Sequence, residues 1–476
     1  MDFNIHDGRQ QVNPAAQTAN QFYNCVFTSG ATCPGEDAAR PLPPAHTVAL
    51  LGADAEAAGG MPTPRDLIPR IAEWLHTEEG KAIDAALRKT LPHLTFHYEK
   101  FVDQAIDRLI RGLDKQRERI CQGIDREIRD NPSLSDRQRG MGKLITRLLG
   151  KIDGVKDIAT IDEETERLIN EVLGMEPADE SILDFSKTAY TRFFQDVIAC
   201  ILHQSLNDSE DPILRHIYTQ TLDMEQLMAR HFCGFYVGES GRVKSYMYIT
   251  WTMWAYLARC QQARDNTVGE IRQLPQLFHQ LGTSKDLQVI NLNYTTLPTS
   301  PGRVPIHLRG TLADYVDPEN KNDFHFPDLS SLDIVDFFEN QLPAQVSLEG
   351  ERISLPIPSF MPPMKLMTLV SGRYLPTWHQ ASEAIGQANR LLLLGLRLDS
   401  AKGYLNDLLR INPTAEIIAV TPDMQGTCRD LCHILQLSPN HYTPTRIQGH
   451  EARIYNNRVT VIASRLEEID ISEWVK

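Results

Sequence analysis

No apolar run in this sequence approaches the roughly 18 residues that a membrane span needs. The best contender, "YMYITWTMWAYLA" (Tyr246–Ala258), is too short, carries two threonines and reads as a core helix. The N-terminus "MDFNIHDGRQQ" lacks the basic start and apolar stretch of a secretory signal, so a cytoplasmic protein is expected. Cysteines number only eight at irregular spacing, which excludes a disulfide framework. Cys428 and Cys432 stand four apart with His433 beside them, but nothing supplies the remaining ligands of a zinc site, and "HFC" (His231–Cys233) is weaker still. No metal is therefore expected. Positive charge is also in deficit: the formal net charge of −14 argues against direct nucleic-acid binding. A serine nucleophile turn, a zinc-protease helix and paired CxxC motifs are all missing, and "RGMGKL" (Arg139–Leu144) lacks the spacing and hydroxyl of a phosphate loop.

What is present is an ordinary globular composition, 42% hydrophobic and 23% charged, in a chain of 476 residues. That length calls for two or three structural units. Residues 1–45, rich in Gln, Asn, Ala and Pro, form an N-terminal arm. A strand follows at "TVALL" (Thr47–Leu51) and runs at once into a Gly-bearing turn. From Arg65 to about residue 285 the pattern is helical, with Ala105, Leu109 and Leu113 recurring every four residues beside Ile106 and Ile110. Ile120, Ile124 and Ile128 continue the stripe, and Phe193, Val197, Cys200, Ile201 and Gln204 mark another helix. Strand signals return at Asp286–Leu292, Val304–Leu308, Arg390–Leu396, Glu416–Val420 and Arg458–Ala463. Short apolar strands joined by helices indicate a parallel α/β sheet. The expected fold is a Rossmann-like sheet built from 46–64 and 286–476, with 65–285 as an all-helical insertion. Residues 313–360 read as irregular, acidic surface structure.

In parallel sheets, ligands bind at the carboxyl ends of strands. Gly52, Gly59 and Gly60 in the first turn allow close backbone approach, and a helix start near Pro62–Asp66 offers backbone N–H groups to an anion. Packing alone explains many such turns. "INLNYTTL" places Asn293 just past the second strand, where its amide can orient a hydroxyl or water, or simply cap a turn. "PIHLRG" brings His307, Arg309 and Gly310 to the same edge, with His307 and Arg309 two apart on one strand face.

These motifs resemble the sirtuin-like superfamily, particularly its bacterial defence branch. That family opens with a Gly-Ala-Gly-x-Ser turn and then a Gly-Ile-Pro-Asp-Phe-Arg element. "GADAEAAGGMPTPR" fits the frame without a gap, keeping Gly52, Ala53, Gly60, Pro62 and Arg65. "NLNYT" looks like the second motif, closest to the Asn-Tyr-Thr form of abortive-infection proteins of the AbiH type, with Asn293 at the catalytic asparagine. "HLRG" resembles the Leu-His-Gly motif, and "LLLLGLRLDSAKGYLNDLL" the later strand and helix containing Gly395. The resemblance implies a domain that binds NAD and, in defence proteins, cleaves it to nicotinamide and ADP-ribose, so that loss of NAD aborts infection. The deacetylase branch is excluded, since its zinc-binding cysteine pairs are missing.

Departures from the pattern cluster in the pocket. Arg309 stands at the catalytic histidine position, and a permanently protonated guanidinium is no general base. His307 lies about 6.5 Å back along the strand. Asp54 and Glu56 replace a glycine and a serine where pyrophosphate would sit, and Thr63 and Pro64 replace the Asp-Phe pair. Three readings follow. One is a degenerate scaffold or sensor subunit of an antiphage complex, with a protein partner or homo-oligomerisation supplied by the helical block and the arm. Another is an active NAD glycohydrolase using Asn293 with His307 or Arg309, in which Arg309 pairs with Asp54 before ligand arrives. The third is a plain α/β protein binding another nucleotide.

Overall fold

The structure is a computed structural model of the whole chain. It describes residues 47–475 except 58–59, 112, 154–159, 177–180, 185–188, 208–210, 222–227, 229–239, 268–280, 282–285, 296–303, 318–321, 327, 350–351, 362–373 and 399–402. The N-terminal arm, "HFC" and Gly59 lie outside the described residues. Two compact units are formed, one from Met1–Met61 with Trp254–Lys476 and one from Pro62–Met253.

The first unit is built on an eight-stranded sheet. Its strands are β1 (Thr47–Leu51), β2 (Leu287–Asn291), β3 (Ile306–His307), β4 (Arg390–Leu394), β5 (Glu416–Thr421), β6 (Thr443–Ile447), β7 (His450–Tyr455) and β8 (Val459–Ala463). Across the sheet they run β6-β7-β8-β5-β4-β1-β2-β3. β1, β2, β3, β4, β5 and β8 are parallel, and β6 and β7 add an antiparallel hairpin at the edge. Numbered among themselves, the parallel strands lie in the order 3-2-1-4-5-6, which is the doubly wound order of Rossmann-like folds. The chain leaves β1 for β2 and β3 on one side and returns on the other side for β4. The carboxyl ends of β1 and β4 therefore mark the topological switch point, where such folds place their ligand crevice.

Why these segments form central strands follows from their residues. Val48, Leu50, Ile290, Leu391, Leu393 and Ile417 fill the core on one face, while Ala49, Leu51, Val289, Leu392, Leu394 and Ile418 fill the other. Each large aliphatic side chain buried in this way stabilises by about 1.5–3 kcal/mol, so a strand apolar on both faces has no stable exposed alternative.

The segment 313–360 departs from its expected irregularity. Asp314–Val316 pairs with Asp323–His325 and Ile357–Pro358 in a small antiparallel sheet. Its aromatic residues outweigh its acidic ones: Phe326 stacks on Trp254 with ring centroids 4.8 Å apart and meets Phe337 edge-on at 5.1 Å. The Trp254 indole donates to Leu312 O at 2.7 Å. Acidic residues outnumber aromatic ones there, yet Phe337 and Phe338 are 1% exposed and set the structure.

The second unit contains the helices Pro64–Trp74, Glu78–Thr90, Tyr98–Arg111, Leu113–Asp130, Asp136–Asp153, Glu163–Leu173, Arg192–Asn207 and Pro212–Thr221, with the first part of Ser240–Thr267. The expected stripe is its core: Ala105, Ile106, Ile110, Ile120 and Ile124 are all buried. Helix ends carry their signals, with Thr77 accepting from Gly80 N, Asp162 accepting from Thr165 N and Gly174 closing its helix in the left-handed conformation. Asp84 joins two helices by accepting from Arg88 Nε at 2.9 Å and from the Tyr248 hydroxyl. Among the described residues, no helix is long and apolar enough to cross a membrane.

Candidate functional site

The loops after β1, β2, β3 and β4 meet at one edge of the sheet. Leu51 at the end of β1 is flanked by Leu394 of β4 and Asn291 of β2. Gly52 then donates to Leu394 O at 2.9 Å, and Asp54 N to Gly395 O at 3.2 Å. A Cβ on Gly52 would stand 2.2 Å from Gly395 O, and one on Gly395 would stand 2.3 Å from Ala55 N. Gly395 also has a φ of +59°. The glycine requirement at both positions is thus met by one loop closing on the other at the switch point. Gly60 (φ +85°) lies one residue before Met61, the end of this unit's first segment, whereas Pro62 and Arg65 belong to the helical unit.

The two carboxylates of the β1 turn have different fates. Glu56 is 1% exposed and accepts from Arg264 Nη1 at 3.2 Å and from the Thr295 hydroxyl. Arg264, itself 4% exposed, reaches it from the helix Ser240–Thr267 and also bonds Asp265 at 2.9 Å. Burial pushes the Glu56 carboxyl above its ordinary range, against the pull of Arg264, Thr295 and Asn293. Asn293 stands near enough to favour the charge, yet its amide nitrogen donates to Gly52 O at 3.0 Å, and Glu56 Oε1 has no hydrogen-bond partner. Asp54 is half-buried and accepts from Arg397 Nε at 2.9 Å. Neither carboxylate is left as a bare charge against an anionic ligand. The expected Asp54–Arg309 pair is not formed, because Arg397, two residues past Gly395, is held beside Asp54 by the same loop contact.

Asn293 is fixed at both ends. Its backbone N–H donates to Asn291 Oδ1 at 2.9 Å, while Asn291 Nδ2 reaches Thr295 O at 3.3 Å, closing the turn that presents the Asn-Tyr-Thr motif. Leu312 N donates to Tyr294 O at 2.9 Å and Leu308 N to Asn291 O at 3.0 Å, which ties this loop to the one after β3. β3 ends at His307, so Arg309 lies in the following turn and the two do not share a strand face. Burial lowers the pKa of His307 despite a contact with the Asn293 backbone, so the imidazole is neutral near pH 7, and its Nδ1 is buried without a partner.

Arg309 is 8% exposed and its Nε is wholly buried with no acceptor. A guanidinium cannot shed its proton to escape this situation. Leaving that buried N–H unsatisfied costs about 1–3 kcal/mol, and a hydrogen-bonded anion would recover it. Asp54 Oδ1, Glu56 Oε1, His307 Nδ1 and Arg309 Nε are buried polar atoms without partners, two in the segment after β1, one on the last residue of β3 and one in the turn that follows it. Among the described residues, no group of three or more His, Cys, Asp or Glu is placed to hold a metal.

Compared with protein-family models, curated proteins and solved structures, the chain matches none. Its functional reading therefore rests on its own residues. Sequence reasoning singled out Asn293, His307, Arg309, Gly52, Ala53, Asp54, Glu56 and Gly395, and the sheet brings these to one edge. It missed Arg264, Thr295 and Arg397. Thr295 belongs to the Asn-Tyr-Thr motif and was legible there, whereas Arg264 sits near the end of a long helix with no local mark of its role.

Proposed function

We propose that the α/β unit is a sirtuin-like, NAD-binding domain of bacterial antiphage defence in which binding is retained and turnover is lost. The protein then acts as a cytoplasmic sensor or scaffold subunit, joined to a protein partner or to further copies of itself. The observation that carries this reading is Arg309, a buried cation without an anion, at the position where the resembling family has its catalytic histidine. The residues that would hold the dinucleotide are the Gly52–Ala53 backbone, Asn293 and Arg309. Bound NAD supplies the nicotinamide–ribose bond that the family cleaves. Arg309 can hold negative charge but accepts no proton, and the Asn293 amide nitrogen is committed to Gly52 O. Both features favour holding over cleaving.

Calorimetry with NAD and an NAD-consumption assay on the purified full-length chain, alone and with candidate partners, test this. Binding without turnover is expected. Consumption abolished by Asn293→Ala would overturn the scaffold reading, and no NAD binding at millimolar concentration would overturn the NAD reading entirely. The active glycohydrolase is a second reading, favoured by the neutral His307 imidazole beside the Asn293 backbone. It requires a turnover that His307→Gln removes.

A further inference from the structure

The charges around the site do not cancel, and the one left over points to a ligand chemistry. Asp54 is answered by Arg397 and Glu56 by Arg264. His307 is held neutral by burial. Among the described residues Arg309 has no ion-pair or side-chain hydrogen-bond partner, although it is more than nine-tenths buried. The turn that carries it is rigidly held: Arg309 O accepts from Met361 N at 2.7 Å, and Leu308 O accepts from the Trp378 indole at 3.1 Å. The backbone that carries the guanidinium is thus held in place, and the 8% of Arg309 that remains open is where a solute reaches it.

We infer that Arg309 is the specificity-determining receptor for a phosphate group of a nucleotide ligand, so that this edge of the sheet selects phosphorylated nucleotides over neutral nucleosides. The inference deepens the NAD-binding reading and rests on its placement of the site, but it makes a separate claim about which group is recognised. A neutral hydroxyl or carbonyl accepts a single hydrogen bond and leaves the charge unanswered, while a phosphate supplies the countercharge and paired acceptors of the geometry a guanidinium fits.

The test is calorimetry on the full-length chain with NAD, AMP, adenosine and inorganic phosphate, repeated at rising salt and with Arg309→Met and Arg309→Lys. AMP is expected to bind at least 30-fold more tightly than adenosine. Arg309→Met should remove that preference and flatten the salt dependence, with Arg309→Lys recovering part of both. Thermal melts provide a readout independent of affinity: AMP should raise the Tm of the parent chain and leave that of a folded Arg309→Met chain unmoved. Adenosine binding as tightly as AMP, Arg309→Met binding AMP like the parent, or no phosphorylated nucleotide binding at all would each overturn the inference. NAD bound equally by the parent and Arg309→Met overturns it and leaves the NAD reading standing. AMP bound through Arg309 with NAD excluded does the reverse.

Discussion

The end of β1 and the end of β3 solve the same electrostatic problem in opposite ways. At β1 two carboxylates enter a nearly buried turn, and each finds an arginine of the chain, Arg264 for Glu56 and Arg397 for Asp54. At β3 an arginine enters a buried turn and finds no carboxylate among the described residues. Both arrangements cost desolvation, and only the first recovers it from within the protein. The difference separates charge that serves the fold from charge kept for a ligand.

Breaking the β1 side should have the largest effect. Arg264→Met leaves Glu56 buried without its countercharge and is expected to cost about 3–5 kcal/mol at pH 8, measured by urea unfolding. Adding Glu56→Gln should restore much of that loss. The pH dependence has a definite sign. Glu56 is raised in the folded state above its ordinary value of 4.5, so the folded chain holds its proton more tightly than the unfolded one. Its contribution to stability is complete below that ordinary value and is lost as pH rises through the folded pKa. Glu56→Gln should flatten stability against pH above 4.5, and a slope unchanged by the substitution would refute the assignment.

A middle-sized effect is expected at the joint between the two regions. Asn293→Ala removes the hydrogen bond to Gly52 O at 3.0 Å and leaves that carbonyl with only its bond from Ala55 N at 3.1 Å, at a cost of about 0.5–1.5 kcal/mol. Urea unfolding checks this, and a loss below about 0.5 kcal/mol would mean that the amide does not anchor the β1 turn. The smallest effect belongs to Arg397→Ala. The Arg397 side chain is 48% exposed, so after solvent screening its pair with Asp54 is worth under about 1 kcal/mol, and the Tm should barely move. A large drop would show that this pair, rather than the glycine contact beneath it, holds the switch-point loops together.

Much of this was legible because buried parallel strands advertise themselves. "TVALL" contains only residues that suit a two-sided core, and β1 spans the segment that composition indicates. The strand order was not legible, since periodicity says what a strand buries and nothing about its neighbours. The β6–β7 hairpin escaped notice because β6 is largely exposed and contains Pro444. Its signals lay in the turns. Gln448 and Gly449 have φ of 52° and 87°, the positive values that a two-residue hairpin turn demands, and Asn456 and Asn457, in the three-residue turn between β7 and β8, have 50° and 52°. Of the site, the strand-end positions of Asn293 and Arg309 could be read from spacing. The partners of Asp54 and Glu56 could not, because Arg397 and Arg264 are brought to them by tertiary contacts across 343 and 208 positions.

The same long separations set the order in which the protein can assemble. β1 lies between β2 and β4, which follow it by more than 230 and 330 residues. At ribosomal speeds of roughly 5–20 residues per second, β1 leaves the ribosome on the order of ten seconds or more before its first neighbour exists. The helical residues made in the interval find their contacts locally and need not wait. An apolar strand with both edges open is the part of a newborn chain most prone to wrong pairing. For this protein the hazardous interval is the synthesis of its helical unit, and it ends when β2 arrives.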